Sequence, residues 1–80
     1  MRTVTFYTKP NCPLCDEALE QMELAQANAD FTIEQVNILS DLALYNRYKH
    51  DIPVGCLDGV EIFRHRLVVA ELLEKLRGSG

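Results

Sequence analysis

No basic block or basic stripe occurs anywhere in this sequence. Its 8 lysines and arginines are outnumbered by 12 acids, for a net charge of −4. Nucleic-acid binding through phosphate neutralisation is therefore not expected. No apolar stretch approaches the ~20 residues that a membrane helix needs. Met1-Arg2-Thr3-Val4 leads straight into an alternating pattern, without the apolar segment and cleavage site of a secretory signal. Membrane and export are set aside on that basis, and the cytoplasm is the expected compartment. Cysteines number only three. A small secreted domain of this size usually carries an even set of four to eight as staples, so one close pair plus a lone Cys56 points to chemistry instead. Internal repeats, linkers and low-complexity segments are absent as well. Eighty residues make one domain with a thin core. Its expected extent is 1–77, with a short tail at 78–80.

What is present is organised around Cys12-Pro13-Leu14-Cys15. Before it, Arg2 to Thr8 alternates with period two, Val4 and Phe6 against Thr3, Thr5 and Tyr7, which predicts a strand. Lys9-Pro10-Asn11 breaks that strand. Pro13 suits the first position of a helix, where its missing N–H has no partner to lose, and Asp16 and Glu17 suit its first turn. Leu14, Ala18, Met22, Ala25 and Ala29 follow at helical spacing as a core-facing stripe, with the helix ending at 28–30.

Phe31 to Ile38 reads as a second strand. Phe31 and Ile33 have one parity and Val36 and Ile38 the other, which suits burial on both faces or a bulge. Ser40-Asp41 opens a helix running to about His50, with Leu42, Tyr45 and Tyr48 or Lys49 at steps of three to four. Ile52-Pro53 ends it. Val54 to Leu57 and Val60 to Phe63 are strands joined by Asp58-Gly59, a strong hairpin signal. Val69, Leu72, Leu73 and Leu76 mark a final amphipathic helix, stopped at Gly78. The order β-α-β-α-β-β-α predicts an α/β fold. Its parallel pair comes from the first βαβ unit and its antiparallel pair from the hairpin. Together they form one mixed four-stranded sheet with helices on both faces.

Two cysteines one turn apart at a strand-to-helix joint suit reversible thiol–disulfide exchange, in which the thiolate is the nucleophile. Cys12 precedes the helix and can face its free N–H groups, including that of Cys15. Such a position lowers a cysteine pKa from about 8.5 into the range of roughly 3.5–7.5. Lys9 adds positive charge, and Asp16 and Glu17 oppose it from outward-pointing positions. Cys15, one turn inward, is the expected resolving thiol. The competing reading is a zinc half-site. Its further ligands would be His50, Cys56 and His65, which contain no second close-spaced pair.

The run Tyr7-Thr8-Lys9-Pro10-Asn11-Cys12-Pro13-Leu14-Cys15-Asp16-Glu17-Ala18 resembles the glutaredoxins of the thioredoxin-fold superfamily, above all small bacterial glutaredoxin-like proteins. The likeness covers essentially the whole chain, because the element order and the Ile52-Pro53-Val54 segment also fit. It implies a thioredoxin-like fold of glutaredoxin type and a redox-active Cys12–Cys15 disulfide that reduces protein or glutathione mixed disulfides. It further implies substrate or glutathione binding through Lys9, Leu14, Ile52 and Pro53. Lys9 would meet a glutathione carboxylate, the backbone of Ile52 would pair with substrate as a strand, and Pro53 would be cis. From the residues alone, Lys9 reads equally as a solvated loop lysine and Pro53 as an ordinary trans breaker. No bound cofactor or metal is implied. The partners implied are disulfide-bearing proteins, glutathione as reductant or co-substrate, and an upstream reductase, with the chain a monomer.

One departure stands out. Glutathione-using relatives carry a Gly-Gly-Xaa-Asp-type turn before the last helix, where this chain has Arg64-His65-Arg66-Leu67-Val68. Val68 cannot accept from free N–H groups as a capping aspartate does. Arg64 or Arg66 offers an alternative contact for glutathione. Two other functions fit the same likeness. One is an iron–sulfur carrier ligated by Cys12 of two subunits and two glutathiones, which Pro13 argues against. The other is a binding module without catalysis. Among the remaining residues, Cys56 reads as a small buried hydrophobe rather than a third redox thiol. His65 reads as a surface residue. Tyr45 and Tyr48 read as core with their hydroxyls in solvent, Asp41 as a cap, and Asp51 and Glu61 as solvated positions.

Overall fold

A computed structural model of the chain describes residues 2–78. Arg2–Thr8 forms strand β1, extended because its apolar residues repeat every second position. Helix α1, Pro13–Ala25, starts on the proline as expected and ends earlier than its alanine-rich sequence suggested. Strand β2 is Phe31–Asn37. A single 3₁₀ turn, Ile38–Ser40, follows it, with the Asn37 side chain accepting the Leu39 N–H at 2.8 Å. Asp41 then caps helix α2, Leu42–Tyr48, accepting the N–H of Ala43 at 2.8 Å. Strands β3, Val54–Leu57, and β4, Val60–Arg64, form the hairpin, and helix α3, Val69–Gly78, closes the fold. Gly78 is thus the last residue of α3 rather than the residue beyond it. The predicted tail at Ser79-Gly80 lies outside the described residues.

The four strands make one mixed sheet in the order β2-β1-β3-β4. β1 runs parallel to β2 in unbroken register, from Arg2↔Phe31 to Thr8↔Asn37, and antiparallel to β3, which pairs antiparallel with β4. The unbroken register excludes a bulge, one of the two readings of the β2 pattern. Ile38 belongs to the 3₁₀ turn, while Ile33 and Val36, of opposite parity, are both half-buried within the strand. The irregularity lies between β3 and β4 instead, at Gly55/Cys56. There Ile62 is the extra residue, and Ile62 and Phe63 both turn apolar surface inward. Gly55 is required at that point, because a Cβ on it would overlap the Phe63 ring. Asp58 and Gly59 both adopt positive φ, 51° and 81°, as the tight Asp-Gly hairpin turn demands.

Strand pairing assigns the faces. Val4 with Leu57 and Phe6 with Gly55 share one side, the side that α1 and α3 cover. Phe6, Met22 and Leu72 are each at most 2% exposed, and burying each such side chain contributes roughly 1.5–3 kcal/mol. Thr5 with Cys56 and Tyr7 with Val54 share the other side. There Tyr48 of α2 stacks on Tyr7 at 4.5 Å between ring centroids. Two apolar assignments are corrected. Leu14 is 56% and Leu42 75% exposed, so neither lies in the core. The α1 stripe is Cys15, Ala18, Met22 and Ala25, with the thiol where the stripe begins. In α2 the inward residues are Leu44, Tyr45 and Tyr48.

Candidate functional site

The C-terminal ends of β1 and β2 define one pole of the sheet. From Thr8 the chain turns through Lys9-Pro10-Asn11, with Asn11 at φ 58°, a left-handed conformation that asparagine tolerates better than most residues. That turn delivers Cys12 to the N-cap of α1, with extended backbone at φ −119° and ψ 98°. The N-cap role is normally filled by an oxygen. Here the cap is sulfur: the Cys15 N–H donates to Cys12 Sγ at 3.2 Å. The Cys12 carbonyl accepts the Asp16 N–H at 3.0 Å. Cys12 and Cys15 are joined as a disulfide with Cα atoms 5.2 Å apart. Cys12 keeps 8% exposure and Cys15 only 1%, so Cys12 is the outer member of the pair. Asp16 and Glu17 are exposed and point outward, as expected.

The neighbouring wall comes from β3. The last β1–β3 pair is Tyr7↔Val54, so Pro53 stands one step further along, level with the end of β1. The Ile52–Pro53 peptide bond is cis, the geometry implied by the family resemblance. Ile52 is 8% exposed and belongs with Cys12 and Cys15 to one buried cluster. Lys9 is exposed on the loop. Leu14 projects outward beside the dithiol and forms one edge of a groove of about 450 Å³. Glu17 and Gln21 of α1 line the same side, and His65, Arg66 and Leu67 line the other. A larger groove of about 770 Å³ lies between the β3–β4 hairpin and α3, lined by Leu57, Asp58, Val60 and Glu74 among others. It is at the opposite pole and holds no cysteine, so the smaller groove is the one relevant to thiol chemistry.

The segment that replaces the diglycine turn is highly ordered by hydrogen bonds. His65 adopts φ 65°, and the Arg66 N–H donates to the Arg64 carbonyl at 2.7 Å, closing a three-residue turn. The His65 N–H is shared between the carbonyls of Asp51, 3.1 Å, and Pro53, 2.9 Å. The Asp51 carboxylate lies 3.4 Å from Arg64 Nη1 and 3.6 Å from His65 Nε2. Arg64 also donates twice to Glu61, at 2.9 and 2.7 Å. That pairing holds the Glu61 carboxyl below the usual carboxylate range and raises Arg64 further. Asp51 and Glu61 are therefore ion-paired rather than merely solvated. His65, exposed as expected, is tied into this knot through its backbone and ring. Sequence reasoning missed the knot because its members are 13 residues apart and meet only through the β3–β4 pairing. Arg64 at the end of a strand beside an acid before a proline was the available signal.

Cys56 lies on the α2 face of the sheet. Burial pushes its thiol pKa up, and the nearby Glu61 pushes it up further. Arg47 and a hydrogen bond with Tyr48 act in the opposite direction. Burial raises the pKa of Tyr48 first, with nearby Cys56 next. Among the described residues, no three His, Cys, Asp or Glu side chains gather as a metal-binding group. Nor is any helix among them long and apolar enough to cross a membrane.

Comparison with known proteins adds a family. Residues 3–77 match the model of a glutaredoxin-like domain. A glutaredoxin-like protein homolog from Dictyostelium discoideum is 34% identical in an alignment 70 positions long that covers 80% of this chain and 65% of that protein. The chain thus spans somewhat less than two thirds of that relative's length. A protein from X. campestris, solved by X-ray methods, superposes with a TM-score of 0.81 at 29% identity, covering 96% of this chain and 99% of its own. A Nitrosomonas europaea protein solved by NMR gives a TM-score of 0.83 at 23% identity, covering 94% and 91%. A thioredoxin from Halobacterium salinarum gives 0.70 at 15% identity, covering 96% and 73%. The last two show the fold alone.

Proposed function

The chain belongs to the glutaredoxin-like domain family, and from that premise we propose that it is a thiol–disulfide oxidoreductase working through Cys12 and Cys15. The observation that carries this reading is the sulfur cap: Cys12 Sγ accepts the Cys15 N–H at the start of α1. That contact, with the positive end of the helix dipole, stabilises a thiolate once the disulfide is reduced.

The exchange has two steps. The Cys12 thiolate attacks one sulfur of a substrate disulfide. The substrate S–S bond breaks, a mixed disulfide forms at Cys12, and the departing thiolate takes up a proton. Cys15 then loses its proton and attacks Cys12. The Cys12–Cys15 bond forms and the second substrate thiol leaves. Two electrons pass from the protein to the substrate, with one proton supplied by Cys15 and the other by water. Re-reduction consumes two equivalents of an external thiol such as glutathione, or one turnover of an upstream reductase.

Leu14, Ile52, Pro53 and Lys9 form the receiving surface in this reading. The Ile52 carbonyl pairs with the substrate chain, its N–H being taken by the Tyr48 carbonyl at 3.1 Å, and Lys9 offers a cation to the substrate carboxylate. The substrates are disulfide-bearing proteins or glutathione mixed disulfides, met by a monomer in the cytoplasm without a resident cofactor. The test is equilibration in glutathione buffers of defined ratio, followed by acid quench and mass spectrometry. The expected result is a protein that moves between dithiol and internal disulfide, with a Cys15→Ser variant accumulating one glutathione at Cys12. A protein whose thiols stay inert across the whole range of ratios overturns the reading.

A further inference from the structure

The geometry points to Asp51 as a positioning residue: it locks the Ile52–Pro53 loop to the 64–66 turn so that both walls beside the dithiol act as one body. This rests on the oxidoreductase reading above and concerns how the same site holds its substrate.

Four contacts converge on one short segment. The His65 N–H bridges the carbonyls of Asp51 and Pro53, on both sides of Ile52. The Asp51 carboxylate faces Arg64 and His65. Its side chain is 26% exposed and Arg64 is 47%, which alone would make a weak pair. Two features strengthen it. Arg64 is already oriented by its two hydrogen bonds to Glu61, so little side-chain freedom is lost in meeting Asp51. His65 is held at φ 65°, a conformation that a non-glycine residue keeps only where its surroundings fix it.

The consequence follows from what each partner borders. Asp51 immediately precedes Ile52, whose backbone is the proposed rail for an extended substrate. His65 and Arg66 form the wall opposite Leu14 across the groove. Releasing Asp51 leaves the backbone bonds in place but frees the angle between rail and wall. Binding of an extended substrate then suffers, while the sulfur chemistry does not. Cys12 takes its hydrogen bond from Cys15 and none from Asp51.

The experiment uses prereduced full-length protein mixed with excess of a peptide cyclised by one disulfide, with acid-quenched single turnovers read by mass spectrometry. For Asp51→Asn the peptide concentration at half-maximal rate rises about threefold to fivefold, with the maximal rate held. Asp51→Glu restores the wild-type value. The pH profile of Cys12 alkylation by iodoacetamide stays that of wild type. Arg64→Gln removes the same pair from the other side and gives the same shift, so it carries the test if Asp51→Asn does not fold. An unchanged half-saturation in both variants overturns the inference, as does a fall in maximal rate alone or an Asp51→Glu protein as impaired as Asp51→Asn. A wild-type protein that reduces no peptide would instead overturn the oxidoreductase reading itself, and this inference with it.

Discussion

Cys12 and Cys56 are equally enclosed, each 8% exposed, yet their surroundings favour opposite states of the thiol. At the mouth of α1 a backbone N–H points at Cys12 Sγ from 3.2 Å, and an anion there is welcome. On the α2 face, burial raises the pKa of Cys56 and the nearby Glu61 carboxylate adds to it, with Arg47 and Tyr48 acting the other way. Depth alone therefore does not distinguish the two sulfurs: burial is the first cause of the raised Cys56 pKa, whereas Cys12, equally enclosed, has a backbone N–H aimed at it.

The sharpest break of that comparison is by deletion. Cys12→Ser is expected to lower single-turnover disulfide reduction by about 10³-fold or more, whereas Cys56→Ser stays within about twofold. Equal losses would erase the distinction. A second contrast concerns tolerance. Gly55, beside Cys56, has the Phe63 ring where a Cβ would go, so Gly55→Ala should destabilise the fold by about 1–3 kcal/mol in urea titration. Pro13→Ala at the exposed helix start should shift it by less than about 1 kcal/mol.

A third and smaller effect is in reaction rate. With all three thiols reduced at neutral pH, iodoacetamide is expected to modify Cys12 at least about tenfold faster than Cys56. Glu61→Gln should narrow the gap by about twofold, since it removes a like charge from Cys56. The smallest effect is on acid stability. Arg64 holds Glu61 below the usual carboxylate range. That contribution is complete above the unfolded pKa of about 4.3 and is lost as pH falls through the lowered folded value. The pair is surface-exposed, so Glu61→Gln should flatten acid denaturation by only a few tenths of a kcal/mol.

The sheet and the dithiol were readable because their signals are local. Period two marks β1, proline at the first helical position marks α1, and Asp-Gly marks the hairpin. The errors share a cause too. Helical spacing counted from Leu14 misses the start of the buried series, which is Cys15, where a thiol serves as a hydrophobe. In α2, Leu42 fell at the right spacing from Tyr45 but occupies the exposed first turn, and Leu44 takes the inward place. Periodicity fixes a face only to within a residue when a helix has just two turns. The Asp51–Arg64–His65 knot is brought together by strand register and not by spacing, so the sequence offers only its charged members and not their meeting.

The Asp58-Gly59 turn joins β3 to β4 at the end of the sheet away from Pro53. At about 3.3 Å per residue, the four residues of β3 separate that turn from the sulfur pole by more than the width of a helix. A fluorophore or an inserted tag spliced there would report on tumbling and docking without crowding the exchange chemistry.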